Sequence, residues 1–207
     1  APLDYSSSTG NLKLDASGYI KLNSDITTGT GGLTLHAGAG FAADAGFVES
    51  AVGINLNLDG VLEISNGASN SSLPEFAATL NGSGDLFKIG NGQLILSGDN
   101  SNWIGNTYVT EGTLQVTSDN ALGSSLLSTS VKTGFTTVKT GATLAVSNDI
   151  TTPEPIYLAG GTLVSTSGDN TLTNHIRLQG SSTLKVQQGS LTLNPSFGDA
   201  VIVESGS

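Results

Sequence analysis

The sequence predicts an all-β protein, and more specifically a parallel β-helix, on three observations. Apolar residues alternate with polar ones in runs of three to six positions, which is the period of a β-strand. These runs recur with a spacing of roughly 20 residues, which is typical of a solenoid. Gly, Ser, Thr and Asn make up 95 of the 207 residues, and Gly and Asn suit tight corners because they tolerate left-handed backbone angles.

The alternating runs are found along the whole chain and are separated by Gly, Asn, Asp or Ser. We predict strands within residues 11–15, 19–23, 32–36, 54–59, 61–65, 93–98, 113–117, 142–147, 162–166, 183–187, 190–194 and 201–205. A helical period is almost absent. The exception is FAADAGFVESAV at 41–52, which is rich in Ala and predicts an irregular or helical excursion near 38–53.

A larger unit repeats in the second half of the chain. An apolar-x-apolar strand leads through a Gly-containing corner into a strand of the form T-L-x-V, and its Leu falls at Leu114, Leu144, Leu163 and Leu184. The steps between these leucines are roughly 20 to 30 residues, within the range of solenoid repeats. We therefore expect each coil to stack on the previous one, with these leucines inside. The whole chain would give roughly ten such coils. A β-sandwich would show more two-residue hairpin turns.

Composition and charge exclude several classes of function. The chain has 7 Lys and Arg against 17 Asp and Glu, a net charge of −10, so no basic surface for nucleic acid is expected. Without Cys there is no disulfide framework or thiolate metal site. No apolar run approaches the ~20 residues of a membrane span. The chain opens APLDYSSS, so we expect a mature form or a fragment of a larger exoprotein.

Residues 86–123, LFKIGNGQLILSGDNSNWIGNTYVTEGTLQVTSDNALG, closely resemble the passenger-associated transport repeat of autotransporters. The resemblance implies that the repeat forms a folding nucleus, and that its aromatic residue covers a coil corner. The residues that carry the motif are Lys88, Gly90, Gly92, Leu94, Leu96, Gly98, Asn100, Trp103, Gly105, Gly112, Thr113, Leu114 and Val116.

Residues 10–40 are similar instead to repeats of filamentous-haemagglutinin-like exoproteins, from the two-partner branch of type V secretion. Both resemblances imply a right-handed parallel β-helix. We therefore expect a single segment over 1–207, with haemagglutinin-like coils in 1–80 and transport-repeat-like coils in 81–207. The families imply a secreted or cell-surface passenger with a structural and adhesive role. Expected partners are a host or bacterial surface protein or glycan, a second copy, and an outer-membrane translocator during export.

We expect no enzyme, cofactor or metal site. An enzyme on this fold needs clustered carboxylates, whereas Asp149 and Glu154 only flank a short turn and Glu63 and Glu75 are not one coil apart. Asp85 matches a calcium-binding repeat once, without the tandem copies such sites need. A polysaccharide-active enzyme and a folding module for a separate effector domain stay as alternatives.

Three further residue types carry weaker signals. Two histidines, His36 and His175, lie far apart and are interpreted as surface or corner residues. The four tyrosines are interpreted as too widely spaced to form a carbohydrate groove; they are Tyr5, Tyr19, Tyr108 and Tyr157. The segment at 33–46 also imitates a dinucleotide-binding fingerprint, but the chain offers no crossover helices to support one.

Overall fold

The computed structural model describes residues 1–38, 46–67, 74–123, 134–196 and 198–204, and within these ranges the only regular elements are β-strands. We number the strands β1 to β23 in chain order. Every pair of strands that forms a ladder is parallel, so the prediction of a parallel β-solenoid is confirmed. No helix long and apolar enough to cross a membrane occurs among these residues.

Each full coil contributes to three faces of the rod. The long sheet forms the first face and contains β2 (Leu12–Ala16), β5 (Leu33–Ala37), β8 (Leu62–Ser65), β10 (Leu86–Ile89), β12 (Thr107–Val109), β14 (Thr136–Lys139), β17 (Ile156–Ala159), β20 (Ile176–Gln179) and β23 (Val201–Glu204). Its nine strands define eight turns rather than the expected ten.

The second face follows the long sheet in each coil. It contains β3 (Tyr19–Leu22), β6 (Phe47–Ser50), β11 (Gln93–Leu96), β13 (Thr113–Val116), β15 (Thr143–Val146), β18 (Thr162–Ser165) and β21 (Thr183–Val186). Phe76 bridges Ser50 of β6 and Leu96 of β11, which continues this face across the coil between them.

The third face closes each coil. It contains β1 (Leu3–Tyr5), β4 (Ile26–Thr28), β7 (Asn55–Asn57) and β9 (Thr79–Asn81), and further along the rod β16 (Thr151–Thr152), β19 (Asp169–Leu172) and β22 (Ser190–Leu193). From this face the chain turns a corner into the next strand of the long sheet.

The number of residues per coil varies, but the strands of successive coils still pair in register. Paired residues of the long sheet are 20 or 21 residues apart at four steps and 29 apart at two, between Leu33 and Leu62 and between Thr107 and Thr136. The longer steps contain the segments 39–45 and 124–133, which lie outside the described residues. These additional residues explain why fewer coils form than a uniform period predicts.

The core is a set of inward-facing columns of aliphatic side chains. Leu114 pairs with Leu144, Leu144 with Leu163 and Leu163 with Leu184, so the leucine repeat predicted from the sequence is one continuous ladder. Three of the four are buried, and Leu184 packs against the core as a partly buried residue. Stacking in register lets each coil cover the apolar surface of its neighbour.

The helical interpretation of 41–52 is wrong where the structure describes it. Phe47–Ser50 form β6, and Val48 is fully buried beside Ile20 of β3. Pairing with β3 and burial of Val48 outweigh the weak helix propensity of the Ala-rich sequence. Residues 39–45, including most of the dinucleotide-like pattern, lie outside the described residues.

A ladder of glycines lines the corner between the third face and the long sheet. Its members, one per coil, are Gly31, Gly60, Gly84, Gly105 and Gly134. A Cβ on Gly84 would lie 1.9 Å from the carbonyl oxygen of Gly60, and one on Gly105 would lie 1.8 Å from that of Gly84. The coils therefore approach so closely here that no other residue fits without backbone movement.

Candidate functional site: the transport repeat and an aromatic stripe

Lys88 points into the rod instead of towards solvent. It lies in an inward column between Ile64 and Val109, and its side chain is fully buried. The ammonium group donates to the carbonyl oxygens of Ile89 (2.8 Å), Gly90 (2.7 Å) and Glu111 (3.2 Å). All three of its donors are thus used, and the side chain joins two successive coils. Burial lowers its pKa from 10.5 to about 8, partly offset by the charge of Glu111.

Asn100 joins three successive coils through one fully buried amide. Its Oδ1 accepts from the backbone N–H of Leu80 at 2.7 Å, and its Nδ2 donates to the carbonyl oxygen of Ala121 at 2.6 Å. Asn66 and Asn170 use the same chemistry in other coils, accepting from the N–H of Val48 and Ile150. A buried Asn at a corner therefore replaces backbone pairing where the strand ladder stops.

Trp103 covers the glycine corner. It is almost fully buried, and its Nε1 donates to the carbonyl oxygen of Gly84 at 2.7 Å. Trp103 also forms a parallel bridge with Gly82 of the previous coil. The position agrees with the role that the family resemblance implies for this aromatic residue.

The other motif residues occupy corners and inward columns. Gly90 and Gly112 have positive φ angles of 74° and 62°. A Cβ on Gly98 would meet the carbonyl oxygen of Ala78 at 2.0 Å. Gly92 accepts from the N–H of Thr113. The remaining apolar members are buried in the core; they are Leu94, Leu96, Leu114 and Val116.

An aromatic stripe crosses the outer surface of the long sheet. We give this name to Phe87, Tyr108, Phe135, Tyr157 and His175, which come from five successive coils. Their ring centroids are separated in that order by 4.7, 6.0, 5.1 and 6.0 Å. The Tyr108–Phe135 pair is edge-on and the other three pairs are stacked. All five side chains are half-buried.

Arg177 lies at the His175 end of the stripe. Its guanidinium lies 5.4 Å from the centroid of the Tyr157 ring, and its Nη1 forms a 3.0 Å ion pair with Oε1 of Glu204. Burial and then the nearby Arg177 charge lower the pKa of His175, which favours the neutral ring. The stripe thus ends in a fixed cation beside a neutral imidazole.

Of the four tyrosines interpreted as too widely spaced to form a carbohydrate groove, Tyr108 and Tyr157 both lie in this stripe, with Phe135 between them. Tyr5 and Tyr19 are not part of it, and Tyr19 stacks on Phe47 at 5.4 Å instead. The sequence did contain a signal, because Phe87 and Tyr108 are one coil length apart. Phe135 was harder to place, since it follows the longer of the steps along the long sheet.

A charged cluster occupies the same sheet face in the first coils. His36 contacts Asp15 through Nδ1 at 3.3 Å and Glu63 through Nε2 at 2.8 Å, and Lys13 pairs with Asp15 at 3.1 Å. Across the described ranges no group of three or more His, Asp or Glu side chains has a geometry that could hold a metal ion. Asp85 instead accepts from the N–H and Nδ2 of Asn106, at 2.8 and 2.9 Å.

The carboxylates considered as catalytic pairs are not brought together. Glu154 is buried inside the rod, whereas Asp149 is an exposed corner residue that accepts from the N–H of Asp169. Glu63 projects from the long sheet, whereas Glu75 is exposed beside Phe76 on the second face. Neither pair could activate water between two carboxylates.

Comparison with known proteins agrees with this architecture. Residues 86–116 match the family model described as a passenger-associated transport repeat. The chain is also 36% identical over 117 residues to the adhesin BmaC autotransporter of Brucella suis biovar 1 (strain 1330). That match covers 55% of this chain and 3% of the length of the adhesin. No solved structure matches the chain.

The chain therefore resembles an autotransporter passenger segment, with a transport repeat at residues 86–116. It contains the transport repeat in its middle third, and the class gives the passenger segment a secreted, cell-surface location. The division into haemagglutinin-like and transport-repeat-like coils near residue 80 stays a prediction.

Proposed function

We propose that the passenger segment is a rigid adhesive rod that contacts partner proteins through the aromatic stripe and has no catalytic activity of its own. The nine parallel strands of the long sheet place its outer side chains in successive rows, which form a continuous surface. Its similarity to an autotransporter adhesin supports the same role.

The aromatic stripe is the observation that carries this proposal. Five coils at ~4.8 Å spacing give the stripe a length of about 19 Å, comparable to the centre of a protein interface. The stacked ring pairs cover one another's faces, so that mainly the ring edges remain available. Tyr and Arg are enriched at the points that dominate interface affinity. An apolar ridge ending at Arg177 therefore fits a protein partner better than a sugar, which would need open ring faces.

The test compares beads coated with the 207-residue chain and with its Y108T/Y157T variant. Thr is compatible with this surface because Thr137 pairs with both Tyr108 and Tyr157. We expect retention on epithelial-cell monolayers under flow to fall at least about tenfold. The matched control is Y19T, which removes an exposed tyrosine from a different stacked pair. Equal retention of folded Y108T/Y157T and wild-type beads would contradict the proposal.

A second candidate role, as a folding nucleus for export, is favoured by the transport repeat. The buried side chains of Lys88, Asn100 and Trp103 each donate a hydrogen bond to a neighbouring coil. Solenoids fold by propagation from a locally stable unit. We expect native-state hydrogen exchange to be slowest in β10 to β13 and these amides to be protected first on refolding. Slower exchange in the first or last coils would refute this role.

A further inference from the structure

An outward row of side chains runs along the long sheet from β5 to β23, and the aromatic stripe follows its middle part. We call it the central row. Its residues pair in register from each coil to the next, and all of its side chains are half-buried. In chain order the members are Thr34, Glu63, Phe87, Tyr108, Thr137, Tyr157, Arg177 and Ile202.

The central row carries opposite charges at equal distances from its midpoint, which lies between Tyr108 and Thr137. Glu63 stands two coils before Tyr108. Arg177 stands two coils after Thr137. The two charged side chains are 34% and 41% exposed. Five coil steps of ~4.8 Å put them about 24 Å apart, so they do not neutralise each other within one chain.

A half-turn brings the two ends of the row together between copies. The axis of this rotation lies along the strands and passes through the midpoint, so the outer faces of two copies meet, the order of coils is reversed and each row faces itself. Glu63 then lies opposite the partner's Arg177, and the same pair recurs at the other end. Phe87 lies opposite the partner's Tyr157, one coil nearer the axis. A parallel arrangement would instead place Glu63 opposite the partner's Glu63.

The outward row beside the central one has the same complementarity. In this row His36 stands one coil before the coil of Glu63. Glu204 stands one coil after the coil of Arg177. The half-turn therefore places the imidazole of His36 opposite the carboxylate of the partner's Glu204. At each end of the contact the carboxylates thus lie opposite a guanidinium and an imidazole, and not opposite each other.

The area of this face fits a weak contact between copies. Eight strands at ~4.8 Å and two outward rows cover roughly 34 by 13 Å, so two copies would bury about 900 Å² in total. That area is at the low end for a specific interface, and such a contact becomes effective when many copies act together. Copies that each carry a net charge of −10 repel. A contact between them therefore requires opposite charges to face each other locally, as the half-turn provides.

We propose that the outer face of the long sheet also binds a second copy of this chain, with the two rods antiparallel and the two-fold axis between Tyr108 and Thr137. The inference rests on the proposed function, because it uses the aromatic stripe as a surface that contacts protein, and it adds a specific partner. Two cells that display the rod adhere to each other through this contact, in addition to adhering to other surfaces.

The first test measures self-association of the 207-residue chain by analytical ultracentrifugation, from about 10 μM to about 1 mM. We expect a reversible equilibrium between monomer and dimer. E63R and R177E should each weaken it at least about tenfold, because like charges then meet at both ends of the contact. The controls E75R and K185E make the same charge changes at exposed residues outside this face, and should dimerise as wild type does.

Mixing the two variants tests the charge pairing itself. An equimolar mixture of E63R and R177E again places arginine opposite glutamate at both ends of the contact. The mixture should therefore form dimers at concentrations where each variant alone is monomeric. A variant that had lost its fold could not produce this rescue.

Disulfide trapping tests the orientation of the two rods. The chain has no Cys, so an introduced thiol has no other thiol to pair with in its own chain. Thr34 and Ile202 stand at equal distances from the midpoint, each one coil beyond a charged end of the central row. We expect T34C and I202C to form a mixed disulfide dimer when they are combined under mild oxidation, in preference to T34C homodimers.

Three results would each overturn the proposal. They are a wild-type chain that stays monomeric at every concentration, a mixture of E63R and R177E that is no more dimeric than either variant alone, and T34C homodimers in place of the mixed dimer. If Y108T/Y157T beads still lost retention on epithelial cells, the adhesive role would stand without the pairing. Dimerisation of wild type with equal retention of both kinds of bead would support the pairing and overturn the epithelial contact alone.

Discussion

Glu154 is buried inside the rod as a carboxyl group, and its replacement by Gln should change how stability depends on pH. The side chain is 1% exposed, and its Oε1 accepts from the hydroxyl of Thr136 at 3.2 Å. Burial raises its pKa from 4.5 to about 8, and the Thr136 hydrogen bond opposes that rise only in part. At neutral pH the folded chain therefore holds a proton on Glu154 that the unfolded chain has released.

The sign and size of the effect follow from proton linkage. Between pH 4.5 and about pH 8 the folded state binds more protons than the unfolded state, so the free energy of unfolding falls as pH rises. One pKa unit corresponds to about 1.4 kcal/mol. The loss is therefore on the order of 3 kcal/mol by pH 7 and on the order of 5 kcal/mol once pH exceeds 8. E154Q keeps the shape of the side chain and cannot ionise, so it should lack this loss.

The measurement is guanidinium unfolding followed by far-UV circular dichroism, at intervals from pH 5 to pH 9. Other carboxylates titrate in both proteins, so the informative quantity is the difference in unfolding free energy between wild type and E154Q. We expect this difference to shift in favour of E154Q as pH rises. E75Q, at an exposed carboxylate, should follow wild type throughout. A wild-type minus E154Q difference that stays constant with pH would show that Glu154 is not held protonated.

Three other predictions concern the contacts between coils. K88M should lower the free energy of unfolding by about 2 kcal/mol, since three carbonyl oxygens lose their buried ammonium donor. Between pH 8 and 10.5 the unfolded chain keeps the Lys88 proton that the folded chain has released, so the free energy of unfolding of wild type should rise with pH. K88M should lack this rise, and denaturant unfolding at both pH values measures it. N100A should lower the free energy of unfolding by about 2–5 kcal/mol, because the buried contacts to two coils are lost. The control N120A, at a half-buried residue, should lower it by less than about 0.5 kcal/mol, and similar losses in the two variants would refute the bridging role. G84A should not reach the native fold, whereas G18A, with open space around its Cβ, should fold normally. Far-UV circular dichroism of the two variants checks this.

The fold was largely predictable because each coil repeats one local pattern. Alternation predicted many of the strands but not several short ones of the third face, such as β4, β9 and β16. The leucine repeat gave the pairing of β13, β15, β18 and β21. The strand β6 was missed because the Ala-rich segment before it carries no alternation. Its partner β3 lies a full coil earlier in the chain, and short-range patterns do not encode such a pairing.

The aromatic stripe was less predictable for a related reason. Which side chains become neighbours on the outer surface depends on the length of every intervening coil. Phe135 contacts Tyr108 diagonally, because the register partner of Tyr108 is Thr137 and Phe135 lies just before that strand. Lys88 was not predictable, because lysine is expected on an outer face and the residues on either side of it, Phe87 and Ile89, are both apolar. The structure places it in the inward column beside Val109. Glu154, between two prolines, has no alternating neighbours to indicate its direction.

The stacking of parallel coils also determines how the rod responds to force. Strands run across the rod axis, and the hydrogen bonds between them run along it, so tension on the two ends loads one coil at a time instead of a whole sheet at once. Each detached coil would lengthen the chain by roughly 65–100 Å of extended backbone. A cell held through such a rod could therefore yield to fluid drag by releasing chain in steps, while the remaining coils stayed intact.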